Sequence, residues 1–280
     1  MTTVVLKSNC KVNIGLKIID QRPDGYHTIH TLFQELNFYD KVTLMKRSSD
    51  CRFSSNVDWL KNDNLNLCVN AWGKMSSVYD IDGISIKLEK QVPAGRGLGG
   101  GSSNAAAVLK GVRELYDIKV SNEELESIGL ELGADVPFFI NGGTQIGDGV
   151  GDLLTVFQTP VQGVYLLVIP DIHIDTAWAY AEIKKILDKP REATNFSGFI
   201  QDDTIHFELF ENDFEAIIVP AYPEIGHIKK TLRAFGARYA SLSGSGSTVF
   251  GIFDEDAAAK MAESHFSSKY HTVISHPIQK

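Results

Sequence analysis

A run of glycines between a strand pattern and a helix pattern constrains the fold of this chain most strongly. Residues 93–104 read Pro-Ala-Gly-Arg-Gly-Leu-Gly-Gly-Gly-Ser-Ser-Asn, with five glycines between Gly95 and Gly101. Alternating apolar residues before the run predict a strand, and apolar residues at helical spacing over 105–116 predict a helix after it. Glycine lets the backbone approach a ligand, and the free N–H groups of a helix start favour an anion. The pattern therefore favours a phosphate-type anion site over a flexible linker.

The glycine run differs from the common nucleotide-binding loops. A Walker A loop needs Gly-Lys-Ser/Thr, and here Gly100 is followed by Gly101. Gly95, Gly97 and Gly100 satisfy the dinucleotide pattern G-x-G-x-x-G, but the run lies well inside the chain and no acid ends a second strand. The H-R-D and D-F-G motifs of protein kinases are missing from the sequence. A nicotinamide-dependent oxidoreductase remains an alternative on this pattern.

Charge and cysteine content narrow the class of protein and of partner. The 280 residues include 27 Lys plus Arg and 35 Asp plus Glu, a formal charge of −8. This balance disfavours nucleic acid and membrane surfaces as partners, since both attract basic proteins. Three cysteines without C-x-x-C spacing argue against a disulfide framework and a zinc cluster. With no membrane-span or signal-peptide pattern either, we expect a cytoplasmic protein.

The other patterns mix strands and helices without strict alternation. Apolar and other residues alternate over 11–18, which predicts a half-buried strand. Lys11 and Asn13 then lie side by side on the face opposite the apolar residues. Pro-Asp-Gly at 23–25 predicts a tight turn, and Ser121 three residues before Glu124 predicts a capped helix that Gly133 ends. Further helices are predicted near 176–187, 225–235 and 256–267, and further strands near 84–88, 164–169, 239–242, 249–253 and 270–275.

This mixture favours the α+β class over a doubly wound parallel sheet. At roughly 150 residues per domain, the length suits one large domain or two modest ones. A boundary near 157–163 fits two domains, with only a weak shift of composition there. We predict an N-terminal domain over 1–158, which contains the glycine run, and a C-terminal domain over 159–280.

Several motifs resemble one family. Residues 93–106 resemble the phosphate loop of the GHMP kinases, the superfamily of galactokinase, homoserine kinase and mevalonate kinase. Further stretches agree in the same order, at 11–16, 24–27, 62–65, 132–137 and 243–246. The glycine loop together with Asp-Gly-Tyr-His is most similar to a member that phosphorylates a small cytidine-diphosphate-linked polyol in isoprenoid synthesis. The resemblance implies a two-domain ATP-dependent kinase with Mg²⁺ on the nucleotide and an active site in the inter-domain cleft.

The resemblance also implies which residues bind the nucleotide. They are Pro93, Gly95, Gly97, Leu98, Gly99, Gly100, Gly101, Ser102, Ser103 and Asn104 of the glycine loop, with Asn64 and Leu65 at the adenine. The hydroxyls of Ser102 and Ser103 are candidates for phosphate or Mg²⁺, or simply cap the helix. Arg96 departs from the family pattern and faces either solvent or a phosphate.

Two residues would carry the catalysis if the resemblance holds. Asp135 matches the aspartate that accepts the proton of the attacking hydroxyl, although a helix cap is the ordinary role of Asp in such a place. Lys11 matches the cation beside that aspartate, although a strand lysine is ordinarily a solvated charge. One carboxylate and one cation suffice, because phosphoryl transfer needs mainly positioning and charge stabilisation.

The polyol substrate would be bound by a second set of residues. By resemblance Asn13 orients it, Tyr26 stacks on the cytosine, His27 bonds the base edge, and Thr176 and Tyr180 close the other side. Ordinary alternatives are a core aromatic and a surface histidine. Kinases of mevalonate or homoserine remain alternatives within the family, but Tyr26 and His27 would then have no base to read. A non-catalytic nucleotide-binding module is a further alternative.

Overall fold

The computed structural model describes residues 3–157, 161–186, 200–201, 204–207 and 210–278. Within them the strands are β1 (Thr3–Gln21), β2 (His27–Lys46), β3 (Cys51–Ser55), β4 (Ile84–Glu89), β5 (Thr144–Asp148), β6 (Leu153–Val156), β7 (Val164–Ile169), β8 (Ile200–Gln201), β9 (Thr204–Ile205), β10 (Tyr239–Leu242), β11 (Val249–Phe253) and β12 (His271–Ser275). The helices are α1 (Leu67–Val78), α2 (Gly100–Tyr116), α3 (Asn122–Leu130), α4 (Val136–Asn141), α5 (Thr176–Ile186), α6 (Glu215–Ala221), α7 (Pro223–Ala234) and α8 (Asp256–Phe266).

The chain divides into two compact units. Unit 1 comprises Met1–Cys10, Phe38–Ala94 and Gly99–Gly142, and unit 2 comprises Lys11–Asn37, Gly95–Leu98 and Gly143–Lys280. Strands β1 and β2 and the glycine loop (residues 93–104) each contribute residues to both units. The predicted domain boundary, between residues 158 and 159, lies outside the described residues and stays a prediction.

In unit 1 the helix after the glycine loop forms the centre of the core. Residues 41–46 of β2 pair antiparallel with β4, and β4 pairs in parallel with β3. Helix α2 packs against α1 and α4, and its apolar side chains, such as Val108, Leu109 and Val112, are fully buried. Each such side chain stabilises the fold by about 1.5–3 kcal/mol. The loop therefore leads into a firmly packed helix.

Unit 2 contains a four-stranded antiparallel sheet in the order β10-β11-β7-β12. All six side chains of β7 are buried, as expected of a strand with neighbours on both edges and packing on both faces. Helices α7 and α8 pack on this sheet. In the same unit, residues 31–34 of β2 pair with β5, which forms a hairpin with β6.

The structure confirms the α+β class and most of the predicted elements. The capping box of α3 is formed by Ser121 and Glu124 in both directions. Gly25 has a positive φ of 89° at the predicted turn, and α7 is followed by Gly236 at φ 93°. Strands β4, β7, β10, β11 and β12 and helices α5 and α8 lie where periodicity places them. Residue 187, the predicted end of α5, lies outside the described residues.

Two details of the predicted elements are wrong. Strand β1 is not half-buried in its middle, because all residues from Lys11 to Leu16 are buried and both faces are covered. Helix α3 ends at Leu130, three residues before Gly133, since Glu131 already takes the C-cap position.

The described residues hold no disulfide and no metal cluster. Cys10, Cys51 and Cys68 form no disulfide with one another, and burial raises the pKa of Cys51 to about 11 and that of Cys68 to about 12. Across the described ranges, no three His, Cys, Asp or Glu side chains are grouped so as to hold a metal ion. Among the same residues, every helix is too short or too polar to cross a membrane.

Candidate active site

The glycine loop takes a conformation that depends on its glycines. Gly95, Gly97 and Gly99 have φ values of 64°, 76° and 68°, in the left-handed region that side chains other than glycine rarely adopt. Gly99 is the N-cap of α2 and supplies no side-chain cap bond. The first N–H groups of this 17-residue helix therefore lack the usual side-chain acceptor, and its dipole favours an anion there.

In unit 2 the loop lies against the turn at residues 243–246. A Cβ on Gly97 would lie 2.0 Å from the carbonyl oxygen of Ser243, so only glycine fits this approach. The Ser243 hydroxyl donates to the carbonyl oxygen of Gly97 at 2.7 Å. The buried Leu98 accepts a backbone bond from Lys11 at 3.0 Å. The turn at residues 243–246 thus contacts the loop through Gly97.

In unit 1 a buried carboxylate holds both ends of the loop. Asp40 is fully buried and accepts from Lys90 Nζ at 2.5 Å and from Asn104 Nδ2 at 2.9 Å. It also accepts the backbone N–H groups of Gln91 and Val92, at 2.6 and 2.8 Å. Three of these donors precede the loop and the fourth, Asn104, is its last residue, so one side chain fixes both of its ends. Four hydrogen bonds and one cation also compensate the cost of burying the charge.

The two loop serines differ in their surroundings. Ser8 donates to the hydroxyl of the buried Ser103 at 2.8 Å, and Asn104 donates to Ser8 at 2.8 Å. Ser103 and Asn104 therefore belong to the buried network around Asp40. Ser102 is only half-buried and Gly101 is exposed, which leaves these two residues accessible at the start of α2.

Lys11 and Asn13 form a buried polar pair in unit 2. Lys11 is 4% exposed, which excludes the solvated-charge interpretation. Its Nζ donates to Asn13 Oδ1 at 2.6 Å and lies 5.0 Å from the centroid of the Phe33 ring. Asn13 Nδ2 donates to the Thr31 hydroxyl at 3.0 Å. These contacts hold the ammonium group in one place and fix the orientation of the amide.

Asp135 takes the N-cap position of α4 in unit 1 without acting as a cap. Its side chain makes no capping hydrogen bond, and its φ and ψ of −81° and −11° are helical rather than extended. An N-cap residue normally has extended geometry and accepts from the first turn. Pro137 in that turn has no N–H to offer. The half-buried carboxylate thus does not serve as a helix cap.

Two of the predicted substrate residues stack on each other in unit 2. The rings of His27 and Tyr180 are 4.9 Å apart between centroids at 21°, and Tyr180 also meets Phe214 edge-on at 4.9 Å. Among the described residues, the buried His27 Nε2 has no hydrogen-bond partner. Burial lowers the pKa of His27, with a smaller lowering from Lys184. The neutral imidazole is therefore favoured, with a polar edge atom available to a ligand.

Two further substrate candidates, Tyr26 and Thr176, are accessible. Tyr26 is 65% exposed at the end of the 23–25 turn. Thr176 is exposed at the start of α5, and its hydroxyl lies 3.0 Å from that of Ser245. The turn at residues 243–246 therefore contacts both the glycine loop and the start of α5.

Unit 1 has a cavity of about 660 Å³ beside α1. Its lining includes Asn64, Leu67, Trp72, Lys74 and Leu132. Asn64 thus borders a concave surface, as a nucleoside contact requires, whereas the adjacent Leu65 is exposed.

The predicted residues fall into two groups by unit. Unit 1 contains Asn64, Leu65, Pro93, Gly99, Gly100, Gly101, Ser102, Ser103, Asn104 and Asp135, and unit 2 contains Lys11, Asn13, Tyr26, His27, Gly95, Gly97, Leu98, Thr176 and Tyr180. Asp40 and Lys90 are additional residues that sequence reasoning missed. No local motif marks them, because the Asp40 carboxylate meets Lys90 and Asn104 at separations of 50 and 64 residues.

Comparisons with known proteins give concordant matches. Residues 66–143 match the family model for the GHMP kinases N terminal domain, and residues 195–272 match that for the GHMP kinases C terminal. A 4-diphosphocytidyl-2-C-methyl-D-erythritol kinase of Prosthecochloris aestuarii is 36% identical over 277 residues, covering 96% of each chain. A crystal structure of 4-(cytidine 5'-diphospho)-2C-methyl-D-erythritol kinase superposes with a TM-score of 0.86 at 28% identity, covering 99% of this chain and 100% of that one. A homoserine kinase from Cytophaga hutchinsonii superposes with a TM-score of 0.71 at 18% identity, covering 100% of this chain and 95% of that one. This second match is a likeness of fold alone.

Proposed function

The chain belongs to the GHMP kinase family, and on this premise we propose that it phosphorylates the 2-hydroxyl of 4-diphosphocytidyl-2-C-methyl-D-erythritol with ATP. Membership makes it an ATP-dependent kinase and removes the nicotinamide-dependent oxidoreductase from consideration. Relatives that are named for the cytidyl substrate match nearly the whole chain, which favours this substrate over mevalonate and homoserine.

The glycine loop is the proposed phosphate site. The left-handed glycines and the uncapped start of α2 present backbone N–H groups, which suit a triphosphate. ATP with Mg²⁺ supplies the transferable phosphoryl group and neutralises its charge. Nucleotide-bound Mg²⁺ needs only one or two protein oxygens, so it requires no three-residue cluster. We assign Ser102 as the hydroxyl ligand, since the Ser103 hydroxyl already accepts from Ser8.

Asp135 and Lys11 are the proposed catalytic residues. The Asp135 carboxylate, which does not cap α4, accepts the proton of the attacking hydroxyl. The Lys11 ammonium group, buried and held by Asn13, stabilises negative charge on the transferred phosphoryl group. Held in turn by Lys11 and Thr31, the Asn13 amide is fixed in position to orient the substrate.

The stacked pair of His27 and Tyr180 carries the assignment of the substrate. A cytosine needs an aromatic surface for its face and a hydrogen-bonding group for its edge. The exposed Tyr26 supplies such a surface, Tyr180 holds the His27 ring in place by stacking on it, and the unpartnered His27 Nε2 supplies the edge contact. Mevalonate and homoserine have no base, so they would leave a buried polar atom of His27 unpaired at a cost in binding.

A coupled ADP-release assay across a panel of alcohols tests the proposal. We expect turnover with 4-diphosphocytidyl-2-C-methyl-D-erythritol and at least about 10⁴-fold lower kcat/KM with mevalonate or homoserine, as is typical when buried polar groups lose their partner. Preferred turnover of either competitor would contradict the cytidyl assignment. ATP binding without ADP release from any alcohol would instead indicate a nucleotide-binding module.

The role of Asp135 is tested by Asp135→Asn. Loss of the base should lower kcat by about 10²–10⁴-fold while the fold is kept, because asparagine has nearly the size and shape of aspartate. Asp117→Asn is the matched control in unit 1, because Asp117 is exposed and asparagine tolerates its left-handed backbone. Wild-type turnover by Asp135→Asn would remove Asp135 from the mechanism.

A further inference from the structure

Arg96 interrupts the glycine loop with a long cationic side chain that turns toward other parts of unit 2. Its side chain is only 18% exposed. Nη1 donates to the carbonyl oxygen of Ile172, and Nη2 donates to Asp171 Oδ1 at 2.9 Å. Nη1 also lies 3.4 Å from the hydroxyl of the buried Ser247. The guanidinium group thus spans two segments outside its own loop.

The more important of these segments leads directly into α5. The Asp175 carboxylate accepts a hydrogen bond from the N–H group of Trp178 at 2.7 Å, and the Asp175 carbonyl oxygen accepts one from the N–H group of Ala179. Asp175 therefore starts the helix. Thr176 is its first residue, and Tyr180 lies one turn later on the same side. The position of residues 171–175 therefore determines where Tyr180 meets His27.

The contacts of Arg96 differ in strength. Asp171 is fully exposed, so its ion pair with Arg96 contributes little. The Ile172 carbonyl accepts from a charged donor at a half-buried position, and such hydrogen bonds are about twice as strong as neutral ones. The main effect of Arg96 is therefore to hold the backbone at residue 172.

We propose that Arg96 is a positioning residue for the cytidyl substrate, although it lies within the phosphate loop. By holding the backbone of Ile172, Arg96 fixes the position of the start of α5. The start of α5 in turn places the ring of Tyr180 against that of His27. The inference rests on the proposed function, because it assumes that these two rings bind the base. It assigns Arg96 to the acceptor side of the reaction and not to the phosphates of ATP.

Isothermal titration of the full chain tests this with two probes, CDP and the non-hydrolysable ATP analogue AMP-PNP with Mg²⁺. For Arg96→Ala we expect the Kd of CDP to rise about tenfold, which is the effect of losing one hydrogen bond from a charged donor. The Kd of AMP-PNP should change less than twofold. In turnover, the KM of the cytidyl substrate should rise while kcat changes less than twofold. Arg96→Lys should restore part of the CDP affinity, since one ammonium cannot reproduce the two-pronged contact.

Two further variants serve as controls. Asp171→Asn should leave both Kd values within twofold, because its ion pair is exposed. Arg96→Met keeps the aliphatic stem, and it replaces Arg96→Ala if that variant does not fold.

Three outcomes would overturn the proposal. A weaker AMP-PNP affinity with unchanged CDP affinity makes Arg96 a phosphate ligand. No change in either Kd removes the role altogether, and an equal loss of both together with a lower melting temperature makes the role merely structural. Failure of the function itself is distinguishable, since the wild-type chain would then bind no CDP and release no ADP with the cytidyl substrate.

Discussion

Replacing Gly97 by alanine tests how closely the glycine loop must approach the turn at Ser243. The new Cβ would lie 2.0 Å from the Ser243 carbonyl oxygen, whereas real Cβ atoms essentially never come within 3.0 Å of another atom. Loop and turn must therefore separate by about 1 Å or more, which weakens the bond from the Ser243 hydroxyl to Gly97. A misplacement of this size costs about 100-fold in rate.

Gly95→Ala is the matched control in the same loop. Gly95 has a similar φ of 64°, so both variants carry about 1–2 kcal/mol of left-handed strain. A Cβ at Gly95 meets no atom within 4 Å, however, so no displacement follows. Gly97→Ala should lose a further ~1–3 kcal/mol of unfolding free energy from overpacking.

The assay combines urea unfolding with ADP-release kinetics at varied ATP. We expect Gly97→Ala to lose about 100-fold in kcat/KM for ATP and Gly95→Ala to lose less than tenfold. If the two variants had the same kcat/KM within threefold, the close approach to Ser243 would have no part in placing the loop.

Three further predictions concern unit 2. Lys11→Met should lower kcat about 10²–10³-fold in the ADP-release assay, whereas the kcat of Lys17→Met, on the same strand, should stay near wild type. Equal effects of the two changes on kcat would refute the role of the buried ammonium group. Tyr180→Ala should weaken CDP binding about tenfold by calorimetry, and Tyr180→Phe should bind as wild type if the ring face is what counts. Because the pKa of His27 is lowered in the folded state, unfolding free energy should rise as pH increases from the folded pKa to above the unfolded value near 6.5. Urea melts across this range should show a smaller rise for His27→Gln, and an unchanged slope would contradict the burial of a neutral ring.

Local sequence patterns identify elements whose signals are local. The six consecutive apolar residues of β7 and the Ser121–Glu124 capping pair each suffice to predict an element, and the structure has both. Strand β2 shows no such signal, because residues from His27 to Leu36 are largely buried on both faces and alternation disappears. Helix α1 is similarly inconspicuous, since only Cys68, Ala71 and Met75 of its 12 residues are buried.

Local sequence patterns likewise identify only those parts of the site whose residues are neighbours in the chain. Motifs locate the glycine loop and the Lys11–Asn13 spacing, since these residues are neighbours in the chain. Burial of Lys11 cannot be read from alternation, because it depends on what packs over that face of β1. The four donors of Asp40 and the pairing of His27 with Tyr180 come from distant segments, so only the folded chain brings them together.

The buried network around Asp40 also has a consequence for the order of folding. The bond from Asn104 to Asp40 joins residues 64 apart, and that between Ser8 and Ser103 joins residues 95 apart. Contacts of such long sequence separation close late, because large loops must first lose their entropy. We therefore expect the ends of the glycine loop to be fixed in one of the last steps of folding. A bound nucleotide would then stabilise the chain by slowing its unfolding, with little effect on its rate of folding.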